Sequence, residues 1–232
     1  RAVSVTLRRR EGSRRTRMGG IPRHWSVHLL TTRFSPRAEE TKKHLRSKDI
    51  EFETFLGLNH EISGVDHTAH AYDMDDHLTN RQLLPKTINI HLSHYMLWAG
   101  LSLLSDSDDS CHLVLEEDVR FEHDWSDRLE KALTRLPASW DLLYLGSCNC
   151  AGLVTEADHR GDGLYRVPKA SCNHAYVVRG SALPVLLERC ERVWAPIDLS
   201  MHEDRTRFGT RELESFVVLP RLAYQADTIT PN

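Results

Sequence analysis

Three consecutive carboxylates, Glu116-Glu117-Asp118, follow the apolar run Leu113-Val114-Leu115 and precede Val119-Arg120-Phe121. A Leu-Val-Leu run bounded by polar residues fits a short strand buried on both faces. Three acids cannot extend it into the core, because an unpaired buried carboxylate is too costly. They therefore belong where the strand emerges. In open α/β sheets, ligands bind outside the carboxyl ends of the strands. Clustered carboxylates there repel one another unless a cation bridges them. A hard divalent ion carrying substrate phosphates is the natural bridge, since Mg²⁺ and Mn²⁺ prefer oxygen ligands and often take only one or two from protein. If the strand conformation persists, the two-residue period puts Glu116 and Asp118 on one face, where an acid-x-acid pair can hold ribose and metal. An acid triplet by itself is more simply a solvated turn; its position behind a buried strand is what gives it chemical weight.

The elements that must carry this corner can be read along the chain. Val27 to Leu30 is the first strand, ending at Thr31-Thr32-Arg33. Ser35-Pro36 supplies an N-cap and a proline at the first helical position for a helix to Lys48. Glu51 to Leu56 forms a second strand. Strand, helix, strand at this spacing is a βαβ opening and implies parallel pairing. Asn59 to Pro85 has little periodicity; its His60, His67, His70, His77, Asp73, Asp75 and Asp76 match no metal-ligand spacing, so it reads as a long surface loop near the acceptor side. Ile90 to Leu104 has helical apolar spacing, with Ser93 and His94 in its first half. A strand over Cys111–Leu115 leads into the acids. A helix over 125–136 stops before Pro137, and Leu142 to Leu145 is a buried strand whose Gly146 permits close backbone approach. Ala175 to Val178 is a strand, Ser181 caps a helix through Cys190 with Pro184 in its first turn, and Phe216 to Leu219 is the last strand.

Several of these segments, in this order, resemble glycosyltransferase family 25, the family of bacterial lipopolysaccharide galactosyltransferases and collagen hydroxylysine galactosyltransferases. The carriers are Leu92-Ser93-His94, the strand ending in Glu116-Glu117-Asp118, Trp140-Asp141 with a strand ending at Gly146, Ala175-Tyr176-Val177-Val178 with Gly180-Ser181-Ala182, and Pro196-Ile197-Asp198. The likeness runs from Trp25 to Asp227. It implies an α/β fold, GT-A-like and Rossmann-type, with a mixed, mostly parallel sheet flanked by helices. It implies transfer of a hexose, galactose being the expected one, from a UDP-hexose donor to a hydroxyl of a glycan or hydroxylysine-type acceptor, with inversion and with Mn²⁺ or Mg²⁺. Asp118 is then the principal metal ligand with Glu116 or Glu117 assisting. Thr31, Arg33, Glu116 and Glu117 contact the donor, and His94 touches substrate. Asp198 is the base that takes the acceptor's proton, a role a carboxylate can fill at neutral pH; an Asp before Leu199 suits a helix N-cap equally well. His202 is a further candidate for the metal shell.

The chain also departs from the family pattern. Lys86-Thr87-Ile88-Asn89-Ile90 lacks a glutamate usual before Leu-Ser-His, the acid triplet begins Glu-Glu rather than Glu-Asp, and Leu199 follows Asp198 where many members carry Glu. These changes motivate a second reading, a catalytically silent member that binds a glycan or a protein partner.

Composition narrows the alternatives. At 232 residues the chain suits one domain with a sizeable core. Residues 1–17 carry seven arginines and one acid, a net +6, so the remaining residues carry −9 of the total −3. The expected division is a disordered Arg-rich leader over 1–20 and one glycosyltransferase domain over 21–232. The acidic remainder argues against specific nucleic-acid binding, and the leader supports at most peripheral membrane attachment. With no apolar run long enough to span a bilayer and no secretory h-region, a cytoplasmic location is expected. The five cysteines, odd in number, read as reduced and mostly buried thiols, with zinc and disulfides both unexpected.

Overall fold

The computed structural model describes residues 17–18, 20–33, 35–59, 84–104, 107–148, 152–193, 195–202 and 210–226. Residues 1–16, the His- and Asp-rich 60–83, Cys150 and residues 203–209 lie outside them. A short hairpin of β1 (Arg17–Met18) and β2 (Ile21–Pro22) opens the described chain. The boundary expected at residue 20 thus falls inside a paired unit.

The first full strand, β3 (Trp25–Thr31), is followed by α1 (Pro36–Ser47) and β4 (Glu53–Leu56). The Ser35 side chain accepts from the Ala38 N–H, and Pro36 occupies the first turn, so this helix starts as its residues dictate. β3 pairs in parallel with β4 on one side and with β5 (Cys111–Glu116) on the other. Between β4 and β5 runs α2 (Leu84–Leu104), six residues longer at its start than the apolar spacing suggested, with Pro85 in its first turn, where a missing N–H costs nothing. No described helix is long and apolar enough to cross a membrane.

After β5 come β6 (Val119–Phe121), α3 (Trp125–Leu133), β7 (Leu142–Gly146), the hairpin β8 (His159–Gly161) and β9 (Leu164–Arg166), and β10 (Ala175–Arg179). α4 (Leu183–Arg189), α5 (Ile197–Ser200), β11 (Ser215–Val218) and β12 (Ala223–Gln225) complete the order. The main sheet has eight strands in the order β4-β3-β5-β10-β7-β11-β9-β8. β10 runs antiparallel between β5 and β7, and β9 antiparallel between β11 and β8; the other six strands share one direction. The sheet is mixed and mostly parallel, as expected, with helices on both faces.

Strand alternation sorts the core into two layers. Leu113 and Leu115 of β5 join Leu45 of α1 and Leu129 of α3 on one face. Val114 joins Trp98 of α2, Tyr176 of β10 and Leu186 of α4 on the other. All three β5 residues are fully buried; each such side chain contributes roughly 1.5–3 kcal/mol of transfer free energy. The α2 face is therefore also the face that Glu116, two residues after Val114, must enter.

Three expectations need correcting. Ser181 does not cap a helix: it lies in a 3₁₀ turn, Gly180–Ala182, and α4 starts behind Ala182 without a side-chain cap. The Gly180 and Ser181 amides instead donate to the Ser110 and Asp108 carbonyls, which ties this turn to the loop before β5. β11 is not the last strand, because β12 follows and pairs antiparallel with β6 in a ribbon apart from the main sheet. Three-residue strands carry too little periodicity to be read in advance. Finally, Cys148 and Cys172 form a disulfide, while Cys111 and Cys190 are free and buried. The pairing follows from topology: β7 and β10 are antiparallel neighbours with Gly146 opposite Ala175, so residues just beyond one and just before the other come together. Such bonds persist in oxidising compartments, which removes the cysteine argument for a cytoplasmic location.

Gly146 sits where β7 meets the chain entering β12. A Cβ there would run into the Ala223 carbonyl oxygen and the His174 ring, while Leu222 N–H donates to the Leu145 carbonyl at 2.6 Å alongside. Gly146→Ala should cost at least about 1–3 kcal/mol, the usual range for overpacking, and lower the melting temperature by several degrees in a thermal unfolding scan. An unchanged melting temperature would show that β12 can move away freely.

Candidate active site

Glu116 is the last residue of β5, and Glu117-Asp118 form the turn into β6. The acids stand where a strand buried on both faces reaches the surface, and each finds its own partner on a different element. Glu116 continues the Val114 side and meets α2, with its Oε1 3.1 Å from His94 Nε2. The Glu117 carboxylate turns back to the end of β3, accepting from the Thr31 hydroxyl at 2.7 Å and the Thr32 N–H at 3.1 Å. Its carbonyl accepts from Thr41 of α1, whose hydroxyl in turn accepts from Arg120. Asp118 accepts from the Gln225 amide at 3.3 Å, and its carbonyl takes the Ala226 N–H at 2.9 Å. The β6–β12 ribbon thus anchors the turn from the far end of the chain.

The turn at 117–118 breaks the two-residue alternation. Glu116 bonds to His94 and Asp118 to Gln225, and both line one cavity, with Glu117 beside them. That cavity has a volume of about 710 Å³ and lies at the carboxyl ends of β3, β4 and β5. The chain leaving β3 contributes Thr31, Thr32 and Arg33, and the start of α1 adds Arg37. From α2 come Lys86, Asn89, Ser93 and His94, and from beyond β4 come Gly57 and Asn59. Acids and cations share one hollow, a polarity suited to a phosphorylated ligand with a polar sugar.

Ser93 explains how the hollow keeps its shape. Its hydroxyl donates to the Asn89 carbonyl at 2.6 Å and accepts the Leu58 N–H at 2.8 Å. A Cβ on Gly57 would come within 2.6 Å of that hydroxyl. Ser93 is therefore a clamp between α2 and the chain leaving β4. His94 is fully buried, with both ring nitrogens engaged, Nδ1 by the Tyr176 hydroxyl at 2.9 Å and Nε2 by Glu116. It braces Glu116, whose side chain retains 23% exposure. The sequence assigns no site role to Tyr176, Trp98, Thr41, Arg120 or Gln225. Only Tyr176 carried a signal, as an aromatic hydroxyl within an otherwise aliphatic buried strand.

Among the described residues no three His, Cys, Asp or Glu side chains converge to hold a metal ion. The donor set on the cavity wall, Asp118 with Glu116, fits a hard ion that takes one or two carboxylates and completes its shell with substrate phosphates. Glu117, committed to β3, does not belong to that set.

Two expected residues stand elsewhere. Asp198 is not on the cavity wall; its carboxylate accepts the Cys172 N–H at 3.0 Å and the Leu199 N–H at 3.0 Å. It is the second residue of α5, whose N-cap is Pro196, so it is not the cap either. It braces the turn at Cys172, which has a left-handed φ of 68° that a residue with a side chain adopts only when held. His202 bonds to the Tyr144 hydroxyl at 2.8 Å, and burial, aided by Arg189, pushes its ring down to about 4. It does not line the cavity that holds the acids.

No protein-family model matches the chain. It is 29% identical over 169 residues to the human protein named inactive glycosyltransferase 25 family member 3, across 64% of this chain and 27% of that protein. Human procollagen galactosyltransferase 2 is 34% identical over 74 residues, 31% of this chain and 11% of that one. The chain thus spans little more than a quarter of the length of the first relative and a smaller share of the second. Among solved structures, a glycosyltransferase involved in the glycosylation of the major capsid of PBCV-1 superposes with a TM-score of 0.34 at 10% identity, covering 69% of this chain and 63% of that one. That likeness is too loose to bear on mechanism. The resemblance to glycosyltransferase family 25 holds in sequence.

Burial makes the histidines acid-sensitive. His28, His112 and His202 are each held down to about 4, chiefly by desolvation. In the unfolded chain each titrates near about 6.5. Between those values the unfolded state binds protons that the folded state refuses. Stability is therefore complete above the unfolded value and falls as pH drops through the window, by up to about 1.4 kcal/mol per pH unit for each histidine. The urea midpoint should be markedly lower at pH 5 than at pH 7.5. Equal midpoints would mean that these rings accept protons in the fold.

Proposed function

We propose that this relative of the glycosyltransferase 25 proteins binds a uridine diphosphate hexose in the cavity at the ends of β3, β4 and β5 and transfers the hexose to a hydroxyl of a glycan or glycoprotein. The observation that carries the reading is the meeting of carboxylates (Glu116, Asp118) and cations (Arg33, Arg37, Lys86) in one hollow of ligand-binding size. The cations offset diphosphate charge, and the fixed carboxylate of Glu116 offers an acceptor to a sugar hydroxyl. Asp118 with Glu116 would hold a divalent ion, which when bound supplies Lewis-acid neutralisation of the departing diphosphate. Ser93 and Gly57 fix the β4 wall, and Glu117 fixes the acid turn against β3, so the binding groups need little rearrangement when the ligand arrives.

A second reading is favoured by one observation: every acid of the triplet already has a hydrogen-bond donor within the protein. A silent member would keep that arrangement as a scaffold and bind without turnover, in line with the inactive naming of the human relative. Mn²⁺-dependent release of UDP from a UDP-hexose separates the two.

Calorimetry with UDP-galactose should show binding in Mn²⁺ that weakens strongly in EDTA. Asp118→Asn should abolish the metal dependence while leaving the melting temperature near normal, because the amide oxygen that replaces the carboxylate still accepts from Gln225. Equal affinity with and without EDTA would remove the metal from this site.

Asp198 gives a separate test. Asp198→Asn keeps one acceptor oxygen, which can hold the Cys172 N–H, and loses only the bond to the adjacent Leu199 N–H, so the variant should transfer at close to the normal rate. A loss of about 10²–10⁴-fold in rate, the size expected for a missing general base, with unchanged donor affinity would return Asp198 to the role of base.

A further inference from the structure

Behind Glu116 runs a buried chain of three side chains. Trp98 Nε1–H donates to the Tyr176 oxygen at 2.9 Å, that oxygen lies 2.9 Å from His94 Nδ1, and His94 Nε2 lies 3.1 Å from Glu116 Oε1. Trp98, Tyr176 and His94 are fully buried. They sit on two elements, α2 and β10, with the three rings in contact at centroid distances of 5.8–5.9 Å about His94.

The order of donors is fixed by valence. An indole N–H can only donate, so it occupies a lone pair of the Tyr176 oxygen. Burial holds that phenol protonated far beyond the ordinary tyrosine range. Its hydrogen needs an acceptor, because an unsatisfied buried hydroxyl is costly, and His94 Nδ1 is placed to accept it. A neutral imidazole with Nδ1 as acceptor carries its hydrogen on Nε2, which faces the Glu116 carboxylate oxygen. The opposite tautomer would leave the Tyr176 hydrogen unsatisfied and turn a bare nitrogen toward Glu116.

Resting on the nucleotide-sugar reading above, we infer that Tyr176 is a positioning residue that sets the tautomer of His94 and so aims the Glu116 carboxylate at the bound UDP-hexose. Trp98 locks the Tyr176 hydroxyl by filling its acceptor side. The nucleotide-sugar site therefore extends two residues into the core on the α2 face.

The test uses the full chain with ¹⁵N-labelled histidine and UDP-galactose as the ligand. Long-range ¹H–¹⁵N spectra of the unmutated protein should show His94 with hydrogen on Nε2 and a bare Nδ1. Tyr176→Phe, which removes one oxygen and keeps the ring, leaves the Nε2 hydrogen held by Glu116 but takes the donor from Nδ1; it should shift the Nδ1 resonance and weaken UDP-galactose binding about tenfold, the scale seen when a ligand's outer partner is removed. On a Glu116→Gln background the same substitution should weaken binding less than twofold, since residues acting through one another are not additive. Hydrogen on Nδ1 in the unmutated protein would overturn the inference, as would an equal loss on both backgrounds. The first measurement needs no variant, so a Tyr176→Phe chain that fails to fold leaves it decisive. If the unmutated chain binds no UDP-galactose, the nucleotide-sugar reading fails by itself, and the aiming role falls with it.

Discussion

An ionised carboxylate leaving a sheet that is covered on both faces must meet a donor at once, and three in succession must meet three. This constraint organises the structure around Glu116, Glu117 and Asp118. Strand parity sends Glu116 to the α2 layer, where His94 waits. The turn then frees Glu117 to reach back to the end of β3, on the side of α1, where Thr31, Thr32 and Thr41 hold it. Asp118 is left for the β6–β12 ribbon and Gln225. One corner thereby touches both helical layers, the first parallel strand and the last strand. The cavity is the space these partners enclose.

Much of this was legible in the sequence, for reasons that can be named. Leu113-Val114-Leu115 is short, apolar and bounded, so its strand and the exit of the acids followed from the cost of burying charge. Ser35-Pro36 marks a helix start through two independent local preferences, and both hold. The gathering of Thr31, Arg33, His94 and the three acids around one hollow was reachable because a βαβ opening makes β3 and β4 parallel and brings their carboxyl ends together. The roles within the hollow were less legible. Glu116 and Asp118 were expected to share a face, which requires the strand to continue past Glu116, and it ends there. His94 was expected to touch substrate, yet nothing local shows that Tyr176, 82 positions later, takes its other nitrogen.

The place of Asp198 and the pairing of the cysteines share one cause. Both depended on β10 running antiparallel between β5 and β7, a pairing that no local pattern announces. That strand direction carries residues 172–174 to the end of the sheet where β7 finishes. Cys172 then meets Cys148, with Cα atoms 5.7 Å apart, and the Asp198 carboxylate is drawn to the Cys172 amide. A single strand reversed in the middle of the sheet thus brings the Asp198 carboxylate to the Cys172 amide and pairs two thiols expected to be free.

The sequence separations within the site say how it comes into being. Glu117 meets Thr31 across 86 positions, His94 meets Tyr176 across 82, and Asp118 meets Gln225 across 107. None of these contacts stabilises a local unit, so each must wait until loop closure has been offset by sheet pairing and core burial. The hydrophobic layers on either side of β5 form the frame, and the polar partners select one arrangement of the acids within it. A substitution in the polar set, such as loss of the Tyr176 hydroxyl, removes about one hydrogen bond from a frame held by many fully buried side chains. A substitution in the frame removes the site with the fold. The chemistry of the corner can therefore be altered one donor at a time, because the energy that assembles it lies in the apolar layers while the polar partners determine where each carboxylate points.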